Sequence, residues 1–265
     1  MNIFTLLDQL FEGEPSATKA TSRREAFTIF GDMAQKAAMA AVPLGLGALV
    51  STPARAAHTT VPGVLNFALL LEYLENEFYA MGLDAGVIPA GSKAEAIFMQ
   101  ISKHEKAHVD LLKVAISGLG ATPVDKPMFD FTAGGAFNPF GNYDQFLALS
   151  QAFEDTGVRA YKGQAGYLID NDVVLTTALQ IHSVEARHAS EVRRLRGFQG
   201  WINRNEPNGL PAAAQPVYNG EENVMQGGVD VTTLTTIPRH VVTQSFDEPL
   251  TQEEVLAVAT LFVKA

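Results

Sequence analysis

The chain has 265 residues, 47% hydrophobic and 18% charged, a formal net charge of −10 and no cysteine, which suits one sizeable core or two small ones. Without thiols there are no disulfides, thiolate metal sites or cysteine nucleophiles, and any metal must be held by carboxylate, imidazole or backbone oxygen, a donor set suited to iron, manganese or zinc. The acidic balance disfavours nucleic acid, and the basic run "RRLR" at 193–196 falls at a predicted helix end, where cations complement the dipole.

Residues 1–56 read as an address. Arg23 and Arg24 precede an Ala/Gly-rich apolar run at 37–50 and an Ala-x-Ala site ending at Ala56, the outline of a secretory signal. The paired arginines resemble a twin-arginine export motif, with Phe27 one place later than that motif prefers. The apolar run is short against the roughly 20 residues of a membrane span and holds Pro43, so no stable transmembrane anchor is expected. The expectation is cleavage after Ala56 and a periplasmic or otherwise exported protein. The alternative is a retained membrane-proximal leader that begins with the amphipathic "MNIFTLLDQLF".

Four amphipathic helices follow in a domain placed at 57–200. The first, over 63–83, carries apolar residues at helical spacing (Leu65, Leu69, Tyr73 and Leu70, Leu74, Phe78), and the Gly- and Pro-containing stretch 86–91 breaks it. Ser92 with Glu95 forms a capping-box start for the second helix, which runs to Gly118. Residues 121–142, rich in Gly, Pro, Phe and Asn, form a long crossover without regular structure. The third helix spans 143–169, "DND" at 170–172 is a turn, and the fourth helix spans 173–197. Two short turns and one long connection make an all-α fold, a four-helix bundle with one crossover. The C-terminal extension, 201–265, is too long to be a free loop and is expected to wrap the bundle. Thr251 and Glu254 start a last helix over 251–263, whose apolar face (Val255, Leu256, Ala259, Phe262) needs the bundle or the second subunit of a homodimer.

The two helix pairs repeat each other. Helix one has Glu72 and Tyr79, helix three Glu154 and Tyr161; helix two has Glu105-x-x-His108, helix four Glu185-x-x-His188. Residues three apart on a helix reach one point, and residues seven apart share one face. All these positions lie on apolar faces. Four carboxylates in a bundle core cost several kcal/mol each if left ionised and unpaired, and two divalent cations would neutralise them. A Glu from each of two helices and a Glu-x-x-His from each of the other two is the pattern of di-iron and di-manganese bundles. The candidate ligands are therefore Glu72, Glu105, His108, Glu154, Glu185 and His188, with Tyr79 and Tyr161 as near-metal hydroxyls or plain packing residues. Among the neighbours, Glu75 and Glu77 read as solvated, Glu75 being the alternative ligand. His104 and His182 read as rim residues, and Asp110 and Asp155 as acceptors for the histidine N–H groups.

Through "LEYLENEFY", "HEKAH", "FEDTGVRAY" and "VEARH" the chain resembles the ferritin-like superfamily. "LNFALLLEYLENEFY" and the closing "SFDEPLTQEEVLAVATLFV" are similar to the ferritin-like domain proteins that include plant desiccation-related proteins and exported bacterial relatives. The resemblance implies the same six ligands, with Glu72 and Glu154 terminal and Glu105 and Glu185 bridging. It implies two metal ions, iron first and manganese second, and an oxidoreductase acting on oxygen or peroxide: a ferroxidase, peroxidase or catalase-like activity. A non-catalytic stress or desiccation-related envelope protein braced by metal is the alternative. A storage cage is disfavoured by the long tail.

Overall fold

The computed structural model of the chain describes residues 60–264. The export signal and its cleavage site lie outside those residues. Four long helices form the bundle: α1 (Val61–Asp84), α2 (Lys93–Gly118), α3 (Tyr143–Gln164) and α4 (Asp172–Leu195). Each start is set by a side chain that accepts an orphan N–H: Thr60 from Gly63, Ser92 from Glu95, Asn142 from Gln145 and Asn171 from Val174. The Glu95 carboxylate reaches back to the Gly91 N–H at 2.7 Å, one residue before the partner that a reciprocal capping box requires. Past α3 the chain tightens into a 3-10 turn, Ala165–Leu168, so the α-helix predicted to 169 stops at Gln164.

α1 lies along α2 and α3 along α4. The crossover between the pairs is tied down at two points along its path. Asn66 accepts from the Val124 N–H at 2.6 Å and donates to the Thr122 carbonyl at 3.2 Å. Further along, Phe129 bridges Val263, and the Asp130 N–H donates to the Phe262 carbonyl at 2.8 Å. The crossover phenylalanines close one end of the core. Phe78 of α1 is their hub, with crossover Phe131 and Phe140 at 5.2 and 5.6 Å, and Phe146 and Phe153 of α3 stacked at 4.9 Å and edge-on at 5.0 Å.

The extension after α4 contains a 3-10 turn (Ala212–Tyr218), a hairpin β1–β2 (Met225–Gln226 and Val229–Asp230), a short helix α5 (Arg239–Val242) and the last helix α6 (Gln252–Ala259). The hairpin turns on Gly227 and Gly228, both at positive φ, the conformation a two-residue turn of this hand requires. α6 opens with the full Thr251–Glu254 capping box. The helix predicted to 263 stops at Ala259 and tightens into a 3-10 turn, Thr260–Phe262, and both meet the bundle: Val255 is buried, and Phe262 stands edge-on to Phe153 at 4.9 Å.

The extension explains a feature of α3 that its sequence hides. α3 is buried on nearly all sides, yet its outer face carries Gln151, Asp155 and Arg159. These pair with the extension and with α4. The Tyr218 hydroxyl donates to Asp155 at 2.7 Å and accepts from Gln151 at 3.0 Å, while Arg193 of α4 holds Asp155 in a bidentate pair. Asp155 is therefore an anchor for the extension and not the acceptor expected for a ligating histidine.

Gly163 marks the closest approach. An added Cβ there would lie 1.9 Å from the Leu250 carbonyl oxygen, and the Leu250 N–H donates to the Arg159 carbonyl at 3.1 Å. Helix propensity alone would make Gly163→Ala stabilising by about 1 kcal/mol. The clash with backbone reverses the sign, and we expect a loss of about 1–3 kcal/mol in unfolding free energy, read from the lowered denaturant midpoint. Unchanged or raised stability would mean that the extension does not rest on α3 at this point.

Candidate metal centre

The six predicted residues meet in one buried layer. Glu72 comes from α1, Glu154 from α3, Glu105 and His108 from α2, and Glu185 and His188 from α4. The four glutamates are fully buried, and the histidines are 8% and 4% exposed. The helical rise does this locally: each Glu-x-x-His places its two side chains about 60° apart on one face, turned inward by the apolar residues around it.

The donor atoms fall into two groups whose members all lie within 4.8 Å of one another: Glu72, Glu105, His108 and Glu185, and Glu105, Glu154, Glu185 and His188. Glu105 and Glu185 belong to both. In the first group, His108 Nδ1 lies 3.1 Å from Glu72, 3.2 Å from Glu105 and 3.1 Å from Glu185. In the second, His188 Nδ1 lies 2.8 Å from Glu105, 3.4 Å from Glu154 and 3.7 Å from Glu185. His108 Nδ1 is within hydrogen-bonding reach of Glu72 and Glu105, but the remaining approaches are not hydrogen bonds. Glu105 Oε1, Glu154 Oε2, both Glu185 oxygens and His188 Nδ1 are all buried without a hydrogen-bond partner. Buried polar atoms are rarely left so. Donors that converge on a shared point, and not on each other, are what a cation needs, and hard oxygen with imidazole suits iron or manganese. The residues fit a pair of divalent ions.

Two tyrosines brace the layer reciprocally. Tyr79 of α1 donates to Glu154 Oε1 of α3, and Tyr161 of α3 donates to Glu72 Oε1 of α1, both at 2.5 Å. Burial, and then the charge of the carboxylate each one bonds, pushes both phenols well above their usual range, so they remain donors. Their surroundings differ: Tyr79 packs against Phe78 and Phe98, whereas Tyr161 faces an aliphatic cavity with Leu65, Leu112, Val174 and Ile181.

The electrostatics without metal are strained. Burial, then neighbouring Glu185, pushes the Glu105 carboxyl well above its usual range. Burial also raises Glu154, to about 7, against the pull of His188. Burial would raise Glu185 as well, but the facing imidazoles of His108 and His188 hold it down, at about 2. It would likewise lower both imidazoles, yet the carboxylates raise them, Glu72 foremost for His108 and Glu154 for His188. Protons shared in this way are what bound cations displace.

The neighbours sort differently from expectation. Glu77 is partly exposed and pairs with Lys126, as a solvated residue does. Glu75 is not solvated: it is 3% exposed, and burial followed by Glu185 pushes its carboxyl well above the usual range. Its place three residues after Glu72, the spacing that also joins Glu105 to His108, puts it near the inward face, and what packs across from it buries it. Asp110 pairs with Lys106 at 2.7 Å on the surface and serves no histidine. His104 is closer to the site than a rim residue: its Nδ1 lies 2.8 Å from His188 Nε2, and its Nε2 lies 2.6 Å from Gln100. With His188 Nδ1 turned to the carboxylates, His104 is the outer partner that orients that ring. His182 makes no hydrogen bond to the six, and its Nε2 is buried without a partner.

Helix order, crossover and inward-facing acidic layer together define a ferritin-like bundle. A family model described as a ferritin-like domain matches residues 61–197. The chain belongs to the ferritin-like domain family. No curated protein matches the chain.

Proposed function

We propose that this is an exported di-metal carboxylate protein whose centre reacts with dioxygen or peroxide. The observation that carries the metal reading is the set of buried, unpartnered donor atoms on Glu105, Glu154, Glu185 and His188, gathered into two groups that share Glu105 and Glu185. Glu72, Glu105, Glu185 and His108 would hold one ion, and Glu105, Glu154, Glu185 and His188 the other. Two bound ions of iron or manganese supply redox equivalents and Lewis acidity. The chain's own residues do the rest. Tyr79 and Tyr161 fix the terminal carboxylates by their outer oxygens, leaving the inner ones for metal. His104 orients His188. The aromatic layer around Phe78 keeps bulk water from one side.

The leader features around Arg23, Arg24 and Ala56 support export. Among the described residues no helix is long and apolar enough to cross a membrane. A homodimer is not needed to cover α6, whose apolar face the bundle already takes up.

The decisive experiment is anaerobic loading of the full chain with ferrous iron, followed by dioxygen or peroxide. We expect two ions per chain, rapid oxidant consumption and the absorbance of an oxidised iron pair. Two bound ions with no oxidant consumption would replace this reading by that of a metal-braced stress protein. Failure to bind any metal would remove both.

A further inference from the structure

Glu75 breaks the pseudo-two-fold symmetry of the centre. It follows Glu72 by three residues on α1, and the matching place on α3, three after Glu154, is Gly157. The Glu75 side chain is buried and makes no hydrogen bond or ion pair among the described residues. A carboxylate so placed persists either as a neutral acid or beside a cation.

Its position selects the cation and says which one. A Cβ at residue 157 would lie 3.2 Å from Glu75 Oε1 and 3.5 Å from Glu185 Oε2. The glycine is what leaves space for the Glu75 carboxylate to lie across the bundle toward α4. Glu185 divides its oxygens between the two groups: Oε1 is 3.1 Å from His108, and Oε2 is the atom 3.7 Å from His188. Glu75 therefore approaches the His188 side. The gap also borders a small apolar cavity lined by Leu71, Leu74, Phe153, Thr156, Val258 and Ala259.

We propose that Glu75 is a seventh protein ligand, given to one metal position only: the ion held by Glu105, Glu154, Glu185 and His188. This rests on the di-metal reading above and makes the two positions unequal. The position with the added carboxylate has more ligand charge and binds a divalent ion more tightly, since charge count tunes affinity in oxygen-rich sites. It fills first.

Calorimetric titration of the metal-free full chain with manganese(II) tests this. The wild type should show two binding events of unequal affinity. Glu75→Gln, which keeps the shape and removes the charge, should weaken the tighter event by about 10- to 100-fold and leave the weaker one in place. Gly157→Ala should weaken the same event without any change of charge. Glu72→Gln should weaken the other event. Anomalous scattering from crystals grown with one equivalent of manganese should place the first ion beside Glu154 and His188. Two wild-type events that Glu75→Gln leaves unchanged, or a first ion beside Glu72 and His108, would overturn the assignment. A wild type that binds no manganese would instead overturn the di-metal reading. The melting temperature of each metal-free variant guards against misfolding, and that of Glu75→Gln should not fall, because the substitution removes an unpartnered buried acid.

Discussion

Glu105→Gln is expected to make the metal-free protein more stable at pH 8 and the metal-saturated protein much less stable than the wild type. Glu105 is fully buried and belongs to both ligand groups. Burial and Glu185 hold its carboxyl well above the usual range in the folded state. A raised folded-state value means that the native chain binds the proton more tightly than the unfolded chain. Its contribution is then fully present below the unfolded value and is lost as pH rises through the folded one. Glu154 follows the same sign, with a window from its ordinary 4.5 up to about 7. The metal-free wild type should therefore lose stability across that window, measured as urea midpoints at a series of pH values. Glutamine mimics the protonated acid at every pH, so the variant should gain about 1 kcal/mol or more at pH 8.

With metal the order reverses. An ion at a thousandfold excess over its dissociation constant adds about 4 kcal/mol per site, and a shared bridge affects both sites. At roughly 2–4 °C per kcal/mol for a chain of this size, chelation should lower the wild-type melting temperature by many degrees and leave the variant almost unmoved. Equal stabilisation of wild type and variant by excess manganese would show that Glu105 is not a shared ligand.

The second large effect lies far from the metals. Arg159→Ala should release the extension from the bundle. The Arg159 side chain is 1% exposed and sits on α3, facing outward. Its guanidinium donates to the carbonyls of Glu248 at 2.8 Å, Asn219 at 2.7 Å and Val217, and pairs with buried Glu221 at 2.9 Å. Two segments of the extension, 217–221 and the stretch at Glu248, are thus held by one planar, five-donor group, which lysine cannot imitate. Removing it leaves Glu221 buried and unpaired and three carbonyls without a donor. Breaking a buried pair from one side costs about 3–5 kcal/mol. We expect a loss of that size, together with early proteolytic cutting within 205–250 under conditions where the wild type is intact. Glu221→Gln should cost less, since the three carbonyl bonds survive. Wild-type resistance to protease in Arg159→Ala would sink the idea of a clamp.

These two predictions fall on opposite sides of what could be read before the fold was known. The bundle, its caps and its acidic layer are periodic features. Thr60, Ser92, Asn142 and Asn171 act on N–H groups three residues away, and Glu105 reaches His108 within one turn. Such relations hold wherever the helix is placed. The six acidic and imidazole residues converge for the same reason: each lies on an apolar stripe that must turn inward. Glu75, by contrast, looked solvated, because its burial depends on what stands across from it. Gly157 is eighty-two positions away and gains meaning only when α1 and α3 face each other.

Asp110 and Asp155 make the same point as a pair. Both follow inward-facing residues on amphipathic helices, and both were candidate partners for a ligating histidine. One pairs with Lys106 in solvent; the other is buried under Tyr218 and Arg193. The difference is the cover. The extension lies over α3, so an outward-facing acid there must find a buried partner, while the outer face of α2 stays wet at Asp110.

Alone, the sequence determined the helices, their order, the crossover and the inward turn of the acidic layer, because helical period and capping are short-range and survive any packing. Only the tertiary structure decided which polar groups lose their water. That outcome belongs to pairs of surfaces brought together from distant parts of the chain, and desolvation cannot be read from either surface by itself.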